Sequence, residues 1–332
     1  MAHVAGVATG EGHRAGESRA SKPVDPATAA RTQARRADRV RAGVAELDRW
    51  LADQVRQGLA GASRAGYQHW DAMAARLVDA QAPGLASAVR RLAAVASTPD
   101  RLLAELGLLR LLVAAYQRVD ELPADLADTV RARVGFPVAT EEVLAGQRVR
   151  DEWTVVGVRD DGEDRLTVRR TWLSGSATGR PALVLAFAPA GQPLAADLVL
   201  GTSVDADLCF YPGRGQLRAL VAQRYGQPAN VGTPPGARGV AHARSAYADA
   251  IAADPWLDRF PVLLADVALT RDPGGGWHAG ADDASMPLDP AVGTPWRLVA
   301  AAGGAPLTLA GEWTTAGLRP LTGWVDERLV RA

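Results

Sequence analysis

Five arginines, Arg31, Arg35, Arg36, Arg39 and Arg41, open the first strongly patterned stretch of the chain. Arg31, Arg35 and Arg39 are spaced four apart, so on a helix they share one face, and such a face could contact phosphates. Asp38, Glu46 and Asp48 dilute the charge, and a solvated helix face is the competing reading. A second pair, Arg169 and Arg170, lies beside Trp172, which suits a binding face if the ring is exposed. Trp172 also shares a strand face with Leu166 and Val168, and core is its favoured reading, although Arg170 on the same side would then need a partner. The acids Asp160, Asp161, Glu163 and Asp164 stand in the preceding turn as candidate partners for these arginines on a neighbouring strand. In DAQAPGLASAVRRL, Asp79 to Leu92, an acid, an amide and two arginines crowd around Pro83-Gly84. No nucleophile or second carboxylate stands nearby, and helix ends need hydrogen-bonding partners. The stretch therefore reads as two helices stapled at a corner.

Other candidates for chemistry are weaker. His69-Trp70-Asp71 suggests an acid–base pair, but adjacent helical residues point about 100° apart and do not face one another. Asp205 and Asp207 alternate along an expected strand and share a face, yet two carboxylates fall short of the oxygen set of a hard-cation loop. The glycine runs at 213–215 and 274–276 read as turns, and neither a GxxxxGK[ST] nor a GxGxxG pattern joins a strand to a helix. Ser174-Gly175-Ser176 is also a turn, and GxSxG is absent. Cys209 is the single cysteine, and the five histidines, His3, His13, His69, His242 and His278, lie far apart. No disulfide framework, metal or cofactor is expected.

Composition bounds the function classes. The 37 basic and 37 acidic residues cancel, so there is no global pull toward nucleic acid or an anionic membrane. Lys22 is the only lysine; with abundant alanine, glycine and valine this looks like the codon bias of a GC-rich bacterial genome. No apolar run approaches the roughly 20 residues of a membrane helix. The N-terminus lacks the basic start and apolar stretch of a signal peptide, so a soluble cytoplasmic protein with no membrane partner is expected.

The elements that must position these residues fall into two regions. Residues 1–22 show no periodicity and read as a disordered leader. Asp25-Pro26 suits a helix start, and Val40, Val44, Leu47, Leu51 and Val55 form one apolar stripe, ended by Gly58 and Gly61. Further helices carry Trp70, Met73 and Leu77; then Leu85, Val89 and Leu92; then Leu102, Leu103, Leu106, Leu109 and Leu112; then Leu126 and Val130 up to Gly135. The leucine-rich helix is apolar on more than one face and should sit centrally in an antiparallel bundle over 23–135. From 136 to 332 a mixed, mainly β region is expected. It includes a strand near Ala196–Val199, a Pro/Gly loop and candidate subdivision at 226–238, a helix over Gly239–Ala253, and strands at VLLADVALT, WHAGAD, PWRLVAAA, APLTLAGEW and TGWVDERLV. Trp277-His278 with Met286-Pro287-Leu288, and Trp296-Arg297 with Ala305-Pro306-Leu307, read as two adjacent hairpins. The fold class is thus α+β.

Three stretches, AELDRWLADQVRQGLA, YQHWDAMAARLVDAQAPGLASAVRRLA and VRDEWTVVGVRDDGEDRLTVRRTWLSGSATGRPALVLAFAPAG, resemble the C-terminal region of bacterial SWIM zinc-finger family proteins. GEWTTAGLRPLTGW fits the end of the same region. In that family a CxC…CxH zinc finger, an interaction module for nucleic acid or protein, lies upstream. Such genes often neighbour MoxR-type ATPases and proteins with von Willebrand factor A domains. Cys209 lies in the wrong region, so no residue here inherits a zinc-ligand role. The finger is then missing, encoded upstream of Met1, or carried by another polypeptide. The resemblance implies a non-enzymatic interaction or accessory module with a protein partner, a MoxR-type ATPase or von Willebrand factor A-domain protein among the candidates. The alternatives are a nucleic-acid-associated protein using the Arg31–Arg41 face and a hydrolase of unrecognised type.

Overall fold

The computed structural model describes residues 26–59, 61, 66–163, 166–194, 196–281 and 284–332. The expected leader at 1–22, the Asp25 cap and Asp164 lie outside them. Among the described residues of the first region, five α-helices of more than ten residues stand out: α1 (Pro26–Gln57), α2 (Tyr67–Asp79), α3 (Pro83–Val95), α4 (Pro99–Gln117) and α5 (Ala124–Val134). Each follows its apolar spacing. Val40, Val44, Leu47 and Leu51 of α1 are all buried, while Val55 is 59% exposed, so the stripe loses contact before the helix ends. Trp70, Met73 and Leu77 of α2 and Leu85, Val89 and Leu92 of α3 enter the same core. Helix α4 touches α1, α3 and α5, which is the central place its leucines demand. It nevertheless keeps an outward face, with Leu103 and Leu111 about half exposed.

The α2–α3 corner is a packing device. The Ala82 N–H closes onto the Leu77 carbonyl at 2.9 Å, and Gln81 between them takes a left-handed φ of 63°. A Cβ at Gly84 would stand 2.2 Å from the Arg133 carbonyl oxygen, so only glycine lets α3 begin against the end of α5. Gly135, at φ 112°, caps α5 beside Pro83. The corner therefore joins three helices.

After a short helix α6 (Thr140–Leu144), the chain builds two antiparallel sheets. The first contains β1 (Arg148–Glu163), β2 (Leu166–Gly175), β3 (Pro181–Pro189), β4 (Thr202–Phe210) and β5 (Ala219–Asn230), in the order β3-β2-β1-β4-β5. Helix α7 (Val240–Ala253) leads into the second: β6 (Arg259–Arg271), β7 (Trp277–Ala281), β8 (Ala284–Pro287), then helix α8 (Trp296–Ala302), β9 (Leu307–Thr314), β10 (Gly317–Val325) and β11 (Arg328–Arg331). Its order is β11-β10-β9-β6-β7-β8. Strands bury alternate residues on opposite faces. In the first sheet Trp153, Val155 and Leu173 form one core, while Val156 and Trp172 face Ala310 and Trp324 of the second sheet. Gly157 permits this approach, since a Cβ there would lie 2.6 Å from Leu321 Cδ1.

Several sequence expectations are corrected. PWRLVAAA is helix α8, not a strand: Leu298 and Ala302, four apart, are buried, and Gly303 ends the turn at φ 55°. A short apolar run cannot by itself separate strand from buried helix. The second of the two expected hairpins therefore does not exist, although β7 and β8 do pair. Ala196–Val199 is irregular, and β5 extends through Gln227–Asn230 into the segment expected to be a loop. TGWVDERLV is a strand, a turn and a second strand, with Asp326 and Glu327 at φ 48° and 61°.

Candidate functional site

The acid–base candidates go to separate structural partners. His69 bonds the Gln54 side chain at 2.9 Å, whereas Asp71 accepts from Arg90 at 3.0 Å. At the α2–α3 corner, Arg90 thus reaches Asp71 and not Asp79. Asp205 is held by Arg150 through two bonds of 3.0 and 2.8 Å. Asp207 accepts from the Tyr225 hydroxyl at 2.9 Å, with Arg148 at 3.6 Å. Both Asp205 oxygens and Oδ2 of Asp207 are thus taken by arginines and a phenol. Among the described residues no group of three or more His, Cys, Asp or Glu could hold a metal ion.

The β1–β2 hairpin brings Arg169 and Arg170 to the acids nearby in sequence. Asp160 pairs across the strands with Arg169, which grips it with two bonds of 2.8 Å. That hydrogen bond holds the Asp160 carboxyl below its ordinary value. Arg170 bonds Asp161, which also accepts from Arg159 at 2.7 Å. Burial would raise the Asp161 carboxyl, but the Arg159 hydrogen bond and the charges of Arg159, Arg170 and Arg259 bring it below its ordinary value. Trp172 is 1% exposed and donates its indole N–H to Glu312 at 2.8 Å. Of the two readings of Trp172, core residue or exposed anchor beside Arg169 and Arg170, the structure has the first: its ring lies between the sheets, and Glu312 supplies the polar partner that burial of an indole N–H requires.

The α1 arginines divide. Arg36 donates to the Gly135 carbonyl at 3.1 Å and lies over the Phe136 ring, tying α1 to the end of α5. Arg41 pairs with Asp38 at 2.6 Å. Arg31, Arg35 and Arg39 are exposed and make no hydrogen bond or ion pair among the described residues. On another side of α1, a cleft of about 350 Å³ is bounded by Arg41, Tyr116, Arg131 and Phe136. Burial raises the Tyr116 phenol despite the opposing charges of Arg41 and Arg131, so it stays protonated near neutrality.

Sequence reasoning missed the junction between the helices and the sheets. Asp254, 5% exposed, accepts from Arg133 of α5 and from the Trp256 N–H at 3.1 Å. The Trp256 indole donates to the Leu108 carbonyl of α4 at 2.9 Å. The Arg214 N–H donates to Thr129 Oγ1, and its guanidinium to Asp125, each at 2.7 Å. The local signal was Asp254-Pro255-Trp256, an aspartate that bonds its own backbone two residues on. Its partner Arg133 lies 121 residues away, beyond any spacing rule.

Residues 35–134, from within α1 to the end of α5, match the family model of the SWIM-associated four-helix bundle domain. Among curated proteins and among solved structures, nothing matches this chain.

Proposed function

We propose that the SWIM-associated four-helix bundle domain of this chain is a non-enzymatic interaction module that receives an acidic protein surface on the Arg31–Arg35–Arg39 face of α1. The carrying observation is that these three guanidinium groups are exposed and unpaired among the described residues, whereas Arg36 and Arg41 beside them are committed. A row of arginines without internal carboxylates suits fork-like recognition of carboxylates. The junction supports a carrier role for the β region, because Arg133–Asp254 and Trp256–Leu108 tie the sheets to the bundle. The fate of the reactive groups supports binding over catalysis: His69 and His278 bond Gln54 and Asp272, not a hydroxyl or thiol. By the family resemblance, the partner is a MoxR-type ATPase or a von Willebrand factor A-domain protein of the same bacterium.

Biolayer interferometry of the full chain against both candidate proteins tests the reading, with a 20-base-pair DNA duplex as control. The expected outcome is binding to one protein that weakens at least roughly tenfold in the Arg31→Glu/Arg35→Glu/Arg39→Glu variant. Binding to neither protein, together with steeply salt-dependent DNA binding lost in the same variant, would replace this reading with nucleic-acid association.

A further inference from the structure

We propose that the cleft between the bundle and the two sheets is a binding site for a small organic anion, a flat apolar body bearing one carboxylate or phosphate-ester head. The cleft has a volume of about 310 Å³, at the lower end of small-molecule sites. Its floor is apolar, built from Leu183, Leu185 and Leu217, with the buried Trp172 among the lining residues. Five arginines line it, from α5, β2, the β4–β5 connection and the start of β6. Three donate hydrogen bonds to a carboxylate: Arg133 to Asp254, Arg170 to Asp161, and Arg214 to Asp125.

The other two differ. Among the described residues Arg218 makes no ion pair and its side chain donates no hydrogen bond; its guanidinium lies 4.1 Å from the centroid of the Tyr211 ring, a stacking that fixes the group while leaving its N–H donors available. Arg259 stands 3.8 Å from Asp161, 3.6 Å from Asp258 and 3.7 Å from Glu312, and it donates a hydrogen bond to none of them. Three carboxylates therefore hold its charge in place without engaging its donors. Glu312 is 0% exposed; one oxygen accepts from Trp172 and the other has no hydrogen-bond donor. A planar fork with free donors at the rim of an apolar floor is the arrangement that binds a carboxylate or phosphate oxygen pair. The Tyr211 ring in the lining favours a flat body. Asp254 and Asp258 also line the cleft, and their repulsion selects a single anionic head over a polyanion.

The site lies away from the Arg31–Arg35–Arg39 face and does not depend on the partner reading. The test uses the full chain and four probes in isothermal titration and thermal melting. Benzoate and phenyl phosphate each combine a flat body with an anion; inorganic phosphate lacks the body, and benzamide lacks the charge. The expected result is saturable binding of benzoate or phenyl phosphate with Kd of about 1 mM or tighter, a raised Tm, and at least roughly tenfold weaker binding of the other two probes. The tighter of the two anions identifies the head group. Arg218→Ala, an exposed change that leaves the Glu312 network intact, should weaken binding at least roughly fivefold. Leu185→Trp should block it by filling the floor. Absence of binding by both flat anions at about 10 mM, equal binding of benzamide or inorganic phosphate, or unchanged affinity in both Arg218→Ala and Leu185→Trp would overturn the assignment.

Discussion

The bundle and the two-sheet region are stabilised by different means. In the bundle one continuous core gathers residues from all five helices, from Val40 to Val134, and takes in almost no charge. The sheets divide their apolar residues among three clusters, with the charges of Asp151, Asp207, Asp254, Asp289 and Glu312 buried around them. Loss of packing should therefore damage the first region, and loss of a polar partner the second. The same contrast places the unpaired arginines. Within the sheets an arginine tends to have an acid close by, whereas the outer face of α1 has no structural use for Arg31, Arg35 and Arg39.

Truncating the bundle core should have the largest effect. Trp70 is 0% exposed, and Trp70→Ala is expected to cost about 3–5 kcal/mol in chemical denaturation. An unchanged midpoint would contradict the single-core account of the bundle. Comparing two tryptophan-to-phenylalanine changes sharpens the contrast. The Trp70 indole N–H has no hydrogen-bond partner, so Trp70→Phe loses only packing. Trp172→Phe also strips Glu312 of its donor and should cost about 1–3 kcal/mol more. Equal losses would mean that the buried polar contact contributes nothing.

Acid should act on the sheets before the bundle. Burial would raise the Asp151 carboxyl, but donors from Ala177, Thr178 and Glu152 bring it below its ordinary value. Asp289 is lowered in the same way, against burial, by Ala291 and Arg319. A depressed folded-state pKa gives stability that is complete above the ordinary aspartate value near about 4 and is lost as pH falls through the lower folded value. Melting followed by site-resolved hydrogen exchange between about pH 5 and pH 2 should show β1, the β2–β3 turn and β10 loosening before α1–α4. Bundle loosening first would break the comparison. The smallest expected effect is on the stability of the Arg31→Glu/Arg35→Glu/Arg39→Glu variant, which should stay within about 0.5 kcal/mol of the parent because these side chains are exposed and make no hydrogen bond or ion pair among the described residues.

The two regions also differ in how far the sequence reveals them. Val40, Val44, Leu47 and Leu51 announce α1 by spacing alone, and Pro83-Gly84 and Gly135 mark the ends that meet at the corner. Arg170 was legible with its acid because a hairpin brings residues nine apart together. Its position on the same face as Trp172 left the tryptophan's burial open until Asp161 and Glu312 supplied the partners. Arg133–Asp254 and Trp172–Glu312 join residues 121 and 140 apart, and local pattern contains nothing about either. Helix α8 was misread because a seven-residue run, apolar but for Arg297, fits either period. The α1 stripe was visible as a face, whereas the cleft draws its arginines from Arg133 to Arg259 and is assembled only by the fold.

The most direct measurement on the α1 face is arginine footprinting. The full chain is modified with phenylglyoxal alone and in complex with whichever candidate, MoxR-type ATPase or von Willebrand factor A-domain protein, it binds, and the sites are read by mass spectrometry. Arg31, Arg35 and Arg39 should react readily in the free chain, since they are exposed and unpaired among the described residues, and should be protected in the complex. A complex that leaves all three as reactive as before, or protects only arginines of the sheets, would contradict the account.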